Sequence, residues 1–69
     1  MIKLDAKGLF CPEPLMMVTA ALKQNPQESI EIEVDTAPPR DNIVRLANKK
    51  NLPVSVVENE GIFIITIGR

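Results

Sequence analysis

Ser29-Ile30-Glu31-Ile32-Glu33-Val34 alternates apolar and polar residues with a period of two. In an extended strand that pattern sends Ile30, Ile32 and Val34 to one face and the glutamates to the other. Such a strand belongs to a sheet covered on one side and open to water on the other. The flanking chain supplies the cover. From Pro12 the pattern turns helical, with Leu15, Val18 and Leu22 on one face at spacings of three and four. Asn25-Pro26 ends that helix, because the residue before a proline is pushed out of helical conformation. A second helix follows Asp35-Thr36-Ala37-Pro38-Pro39, with Thr36 as its expected cap and prolines in its first turn. It turns Ile43, Leu46 and Ala47 inward, ends with Lys49 and Lys50 in its last turn, and is terminated by Asn51.

Further strands complete the sheet. Ile2-Lys3-Leu4-Asp5 is a short first strand, and Pro53 to Glu58 and Ile62 to Ile67 form a hairpin through Asn59-Glu60-Gly61. The predicted order is β-α-β-α-β-β. The fold class expected is α/β: a two-layer sandwich with two helices packed on one face of a four-stranded mixed sheet. Val57, Ile62 and Ile64 fall on the other face and are expected to leave an apolar patch on a mostly polar surface. Residues 1–69 are expected to form a single domain. With Leu, Ile, Val and Phe at 22 of 69 residues, the chain is apolar enough to fold.

Composition excludes several functions. One cysteine makes no internal disulfide and leaves a zinc site three soft ligands short. The absence of histidine removes any Cys–His or Ser–His nucleophile pair within the chain. A net charge of −1 and two phenylalanines give neither the basic surface nor the stacking platform of a nucleic-acid binder. The longest apolar run near the C-terminus, Ile62 to Ile67, is too short to span a bilayer. No charged-then-apolar leader opens the chain, so a reducing cytoplasm is the expected compartment, and it suits a lone thiol. No direct contact with nucleic acid or membrane, no metal and no cofactor is expected.

Chemistry concentrates in Leu9-Phe10-Cys11-Pro12-Glu13-Pro14. The spacing puts Cys11 at the N-cap of the first helix, Pro12 at its first position and Pro14 at its third. Two of the three amides after Cys11 are then missing, and Glu13 keeps the one backbone N–H able to reach a capping sulfur. The positive end of the helix favours a thiolate and the Glu13 carboxylate opposes it, so the thiol is expected to be mildly activated. A free cysteine is most often a small buried hydrophobe. Here it stands between a glycine-bearing loop and a Pro-x-Pro helix start, where serine, threonine or aspartate would cap better. The placement favours a function for the sulfur. Asp5, Glu13 and Asp41 are the carboxylates that could serve as bases, although such groups are usually solvated surface. With no second cysteine to resolve its oxidation, the thiol suits a handle that accepts a group and passes it on; a persulfide is a natural cargo.

Leu4-Asp5-x-x-Gly8-Leu9-x-Cys11-Pro12-x-Pro14 resembles the signature of the TusA/SirA/YedF-like small sulfur-carrier proteins, with its CPxP motif. Asp35-Thr36-Ala37-Pro38-Pro39-Arg40-Asp41 is similar to that family's second region, an acidic turn leading into a helix, and the likeness extends over essentially the whole chain. The resemblance implies a persulfide on Cys11, received from a cysteine desulfurase and passed to a downstream acceptor for tRNA thiolation or other sulfur delivery. It implies that Pro12 and Pro14, with Glu13 between them, shape the helix start, and that Asp5 and Gly8 fix the loop leading in.

Thr36 stands where some members carry proline, and the second half, from Asn42 to Gly68, looks closer to the YedF-like branch, which is associated by name with selenium. A selenium carrier on the same scaffold and a non-catalytic interaction or regulatory module are the alternatives. Arg40, at a helix start where the dipole disfavours it, either attracts the Cys11 thiolate or an acidic partner, or pairs locally with Asp41 or Asp35. Lys7 reads as solvated, and Met16 and Met17 as packing residues.

Overall fold

The structure, a computed structural model, describes residues 1–10 and 12–68. The described residues form β1 (Ile2–Asp5), α1 (Glu13–Gln24), β2 (Ile30–Val34), α2 (Ala37–Lys49), β3 (Val54–Asn59) and β4 (Ile62–Ile67). The strands lie in the order β1-β2-β4-β3. β1 runs parallel to β2, and β4 is antiparallel to both β2 and β3. The mixed sheet and the element order are those expected from the sequence.

Register explains the core. Leu4, Ile32, Ile65 and Val56 are successive partners across all four strands, and Ile2, Ile30, Ile67 and Val54 form the neighbouring row. Side chains directly opposite on neighbouring strands share a face, so both rows lie on one side of the sheet. Val18 of α1, with Ile43 and Ala47 of α2, closes over them, and all three are fully buried. Leu15, Leu22 and Leu46 are half-buried against the same cluster. On the opposite face Val57 is exposed and Ile62 and Ile64 are half-buried beside Glu31, Glu33 and Thr66, so the expected apolar patch is present.

Turns follow the sequence closely. α2 ends in a Schellman arrangement: the Asn51 amide donates to the Asn48 carbonyl at 3.1 Å and the Leu52 amide to the Ala47 carbonyl at 2.9 Å. Asn51 has φ 58°, the left-handed conformation that asparagine tolerates best after glycine. Asn59 belongs to β3, so the hairpin loop is the two residues Glu60 and Gly61. Their φ values of 52° and 81° are both positive, as a type I′ turn requires. Thr36 occupies the N-cap of α2, but its side chain makes no capping hydrogen bond.

Candidate functional site

Because β1 and β2 are parallel, with Asp5 opposite Glu33, their C-terminal ends lie side by side. The loop from β1 to α1, which carries the CPxP segment, therefore starts beside the loop from β2 to α2. Two sets of polar contacts join them. The Lys7 ammonium donates to Asp5 at 3.0 Å and to Glu33 at 2.9 Å, and the Lys7 amide donates to Asp5 Oδ1 at 3.0 Å. Lys7 is thus engaged by two carboxylates, where the sequence suggested a solvated side chain. The Lys7 amide, with its ammonium, holds the Asp5 carboxyl below its ordinary pKa, and Glu33, with Asp5, holds the Lys7 ammonium above its own. Further along, the Gly8 amide donates to Asp35 Oδ2 at 3.0 Å. Gly8 has φ 80°, and a Cβ there would meet nothing within 4 Å, so the constraint on this residue is its backbone conformation.

Ala6, between these anchors, is fully buried, and its amide donates to the Glu33 carbonyl, continuing the β1–β2 ladder one residue beyond the strand. Leu9 is packed against the core. Phe10 then turns out to solvent at 80% exposure. The chain leaves the sheet buried and arrives at the CPxP segment exposed.

The helix start differs from expectation. α1 begins at Glu13 with Pro12 as its N-cap, which puts Pro14 at the second helical position. The Pro12 carbonyl accepts the first helical hydrogen bond, from the Met16 amide at 2.9 Å, and that bond defines an N-cap. The Glu13 amide, expected to serve a capping sulfur, donates to the Phe10 carbonyl at 2.9 Å. The chain makes a tight turn first and winds into helix only afterwards. Pro12 and Glu13 are exposed, while Pro14 is buried. Cys11 itself lies outside the described residues.

Arg40 makes the local pairing with Asp41. Its Nε donates to Asp41 Oδ1 at 2.9 Å, and its guanidinium lies over the Phe63 ring, 4.6 Å from the centroid. Asp35, the other local partner considered, instead accepts the Gly8 amide. Of the residues singled out from the sequence, Asp5, Gly8, Pro12, Glu13 and Pro14 thus fall on one connected segment. Arg40 and Asp41 form a separate pair on α2. Asp35, Glu33 and Lys7 are the loop anchors that the sequence alone did not bring out. The available signal was that Asp35 directly follows a strand whose parallel neighbour ends in the cysteine loop.

The Asp35 contact is open to direct measurement. In Asp35→Ala the Gly8 amide is expected to exchange with solvent faster. The loss in stability should be about 1 kcal/mol or less, because water replaces the acceptor at this exposed site. Asp35→Asn, which keeps a side-chain oxygen, should retain most of the protection. Equal exchange rates in the native and alanine proteins would show that Asp35 does not hold the loop.

The fold and site define a class: a small α/β sandwich in which a loop anchored from the neighbouring strand leads into a CPxP helix start. The sulfurtransferase TusA family model matches residues 2–69, and the chain belongs to that family. A crystal structure of a SirA-like protein from Desulfitobacterium hafniense is similar over the whole of both chains, with a TM-score of 0.91 at 26% identity. No curated protein matches the chain. Family membership implies a sulfur-carrier role. No helix among the described residues is long and apolar enough to cross a membrane.

Proposed function

We propose that residues 1–69 act as one sulfur-carrier domain that takes a persulfide onto Cys11 from a cysteine desulfurase and hands it to a downstream acceptor. The observation that carries this reading is the exposure of the segment: Phe10, Pro12 and Glu13 are all exposed, although the loop leading to them is anchored in the sheet. A carrier thiol must enter two different active sites, so it needs an outward-facing segment on a rigid base. The transfer is balanced without further reagents. The Cys11 thiolate attacks the terminal sulfur of the donor's cysteine persulfide, a new S–S bond forms on Cys11, and the donor's S–S bond breaks to release its cysteine as thiolate. Repetition toward the acceptor regenerates Cys11. Asp5 and Gly8 hold the loop, Pro12, Glu13 and Pro14 shape the helix start, and Arg40 with Asp41 provides a polar contact for a partner on α2. The desulfurase supplies the pyridoxal chemistry and the carrier supplies position.

The test is an intact mass after incubation with a cysteine desulfurase, pyridoxal phosphate and cysteine, with no added reductant. One added sulfur atom, removed by reductant, is the expected result. An unmodified mass from a donor that loads another carrier under the same conditions would reject the reading.

A further inference from the structure

The core row Leu4–Ile32–Ile65–Val56 does not stop at a covered edge. Its last member sits on β3, an outer strand of the sheet, and Val56 is 40% exposed. Its neighbour Val57 is 58% exposed on the other face. Outer strands present unpaired amides and carbonyls, and proteins usually blunt them with short length, lysine, proline or a covering segment. β1, the opposite edge, follows that pattern with four residues that include Lys3 and Asp5. β3 is less protected: its six residues, Val-Ser-Val-Val-Glu-Asn, contain neither proline nor lysine, and their one charge, Glu58, stands near the C-terminal end of the strand. Beside it α2 leaves a shallow groove of about 470 Å³ lined by Val44, Val56 and Asn48 together with Arg40, Arg45 and Asp41, two cations against one anion.

We infer that β3 pairs antiparallel with β3 of a second copy of this chain, about a two-fold axis through Val56, to give a continuous eight-stranded sheet. The sequence of the edge is self-complementary in this register. An antiparallel pair centred on Val56 sets valine against valine, Ser55 against Val57 and Val54 against Glu58 of the other copy. Residues that share a face in one copy then share it in both, and the two core rows become one row crossing the dimer. The charges also match. Glu58 is the only ionised group on β3. Arg45, which also lines the groove, contacts Asn42 at 3.4 Å and has no carboxylate within ion-pair distance among the described residues. Pairing sets each Glu58 opposite Val54 of the other copy, two residues along the edge from the Val56 that lines this net-positive groove.

A net charge of −1 offers little long-range repulsion between copies. A six-residue edge makes a small interface, in the class below about 1,200 Å² in total, so the dimer is concentration-dependent rather than permanent. Three strand spacings separate β3 from β1, about 14 Å, and the Cys11 segment continues from β1. The loop that follows β1 therefore starts at the far edge of the sheet from the interface in each copy. The inference stands independently of sulfur carriage.

Sedimentation equilibrium on the reduced native protein, taken into the millimolar range, should show the mass rising from 7.6 kDa toward twice that value. Val56→Lys should remove the rise. In a Cys11→Ser background, Val56→Cys should form a symmetric disulfide on mild oxidation, because directly opposed Cα atoms lie within disulfide reach. Val57→Cys, offset from its own copy, should cross-link far more slowly. A mass fixed at 7.6 kDa throughout, association undiminished in a folded Val56→Lys, or equal cross-linking at positions 56 and 57 would each overturn the proposal.

Discussion

Cys11→Ser is expected to melt at the native temperature and to deliver no sulfur at all. The first half follows from the helix start. Serine is a strong N-cap, so if residue 11 capped α1 the substitution would add stability, on the order of 1 kcal/mol. Pro12 holds that position instead, and its carbonyl already accepts the Met16 amide. The exchange of sulfur for oxygen therefore touches no capping bond, and the expected change lies within about 0.5 kcal/mol. Sulfur delivery behaves differently, because a hydroxyl forms no persulfide and the chain has no second cysteine to substitute for it. The two readouts are thermal unfolding and transfer of radiolabelled sulfur from desulfurase to acceptor. Delivery that survives in a folded Cys11→Ser would reject the carrier reading in favour of an interaction module. A clear rise in the melting temperature would instead show that residue 11 caps the helix in solution.

Much of the architecture was legible because each element carries its own period. Ile30, Ile32 and Val34 define a strand with one buried face, and the structure buries all three completely. Asn51 marks the end of α2, and Glu60-Gly61 the hairpin, through local backbone preferences that need no tertiary information. The shift of the α1 cap from Cys11 to Pro12 was less accessible. Proline suits both a cap and a first helical position, and the choice rests on which carbonyl meets the Met16 amide. Lys7–Glu33 and Gly8–Asp35 were not legible for a different reason. They join residues 26 and 27 apart in sequence and exist because β1 and β2 are parallel and end together. Arg40 over Phe63 likewise depends on where α2 crosses β4. Local pattern gave the pieces of the site, and strand pairing decided which of them touch.

Ile65→Ala is expected to be strongly destabilising. Ile65 is fully buried on β4, paired with Ile32 on one side and Val56 on the other, so its side chain stands within the row that spans the sheet. Truncating a buried isoleucine to alanine costs about 2–5 kcal/mol, while Ile→Val costs about 0.5–1.5 kcal/mol. A chain of 69 residues has roughly 3–10 kcal/mol in total at ordinary stability per residue. Ile65→Ala should therefore remove a large share of the stability, and Ile65→Val only a small one. Ile64→Ala is the informative comparison. It lies one residue away on the same strand, half-buried on the open face opposite Glu33, and should cost far less than Ile65→Ala. Urea midpoints at constant slope measure all three. The contrast tests the register itself, because a slip of one residue in β4 would exchange the faces of positions 64 and 65. If Ile64→Ala proved as costly as Ile65→Ala, the open face of the sheet would have to be covered, and the two-layer architecture would be wrong.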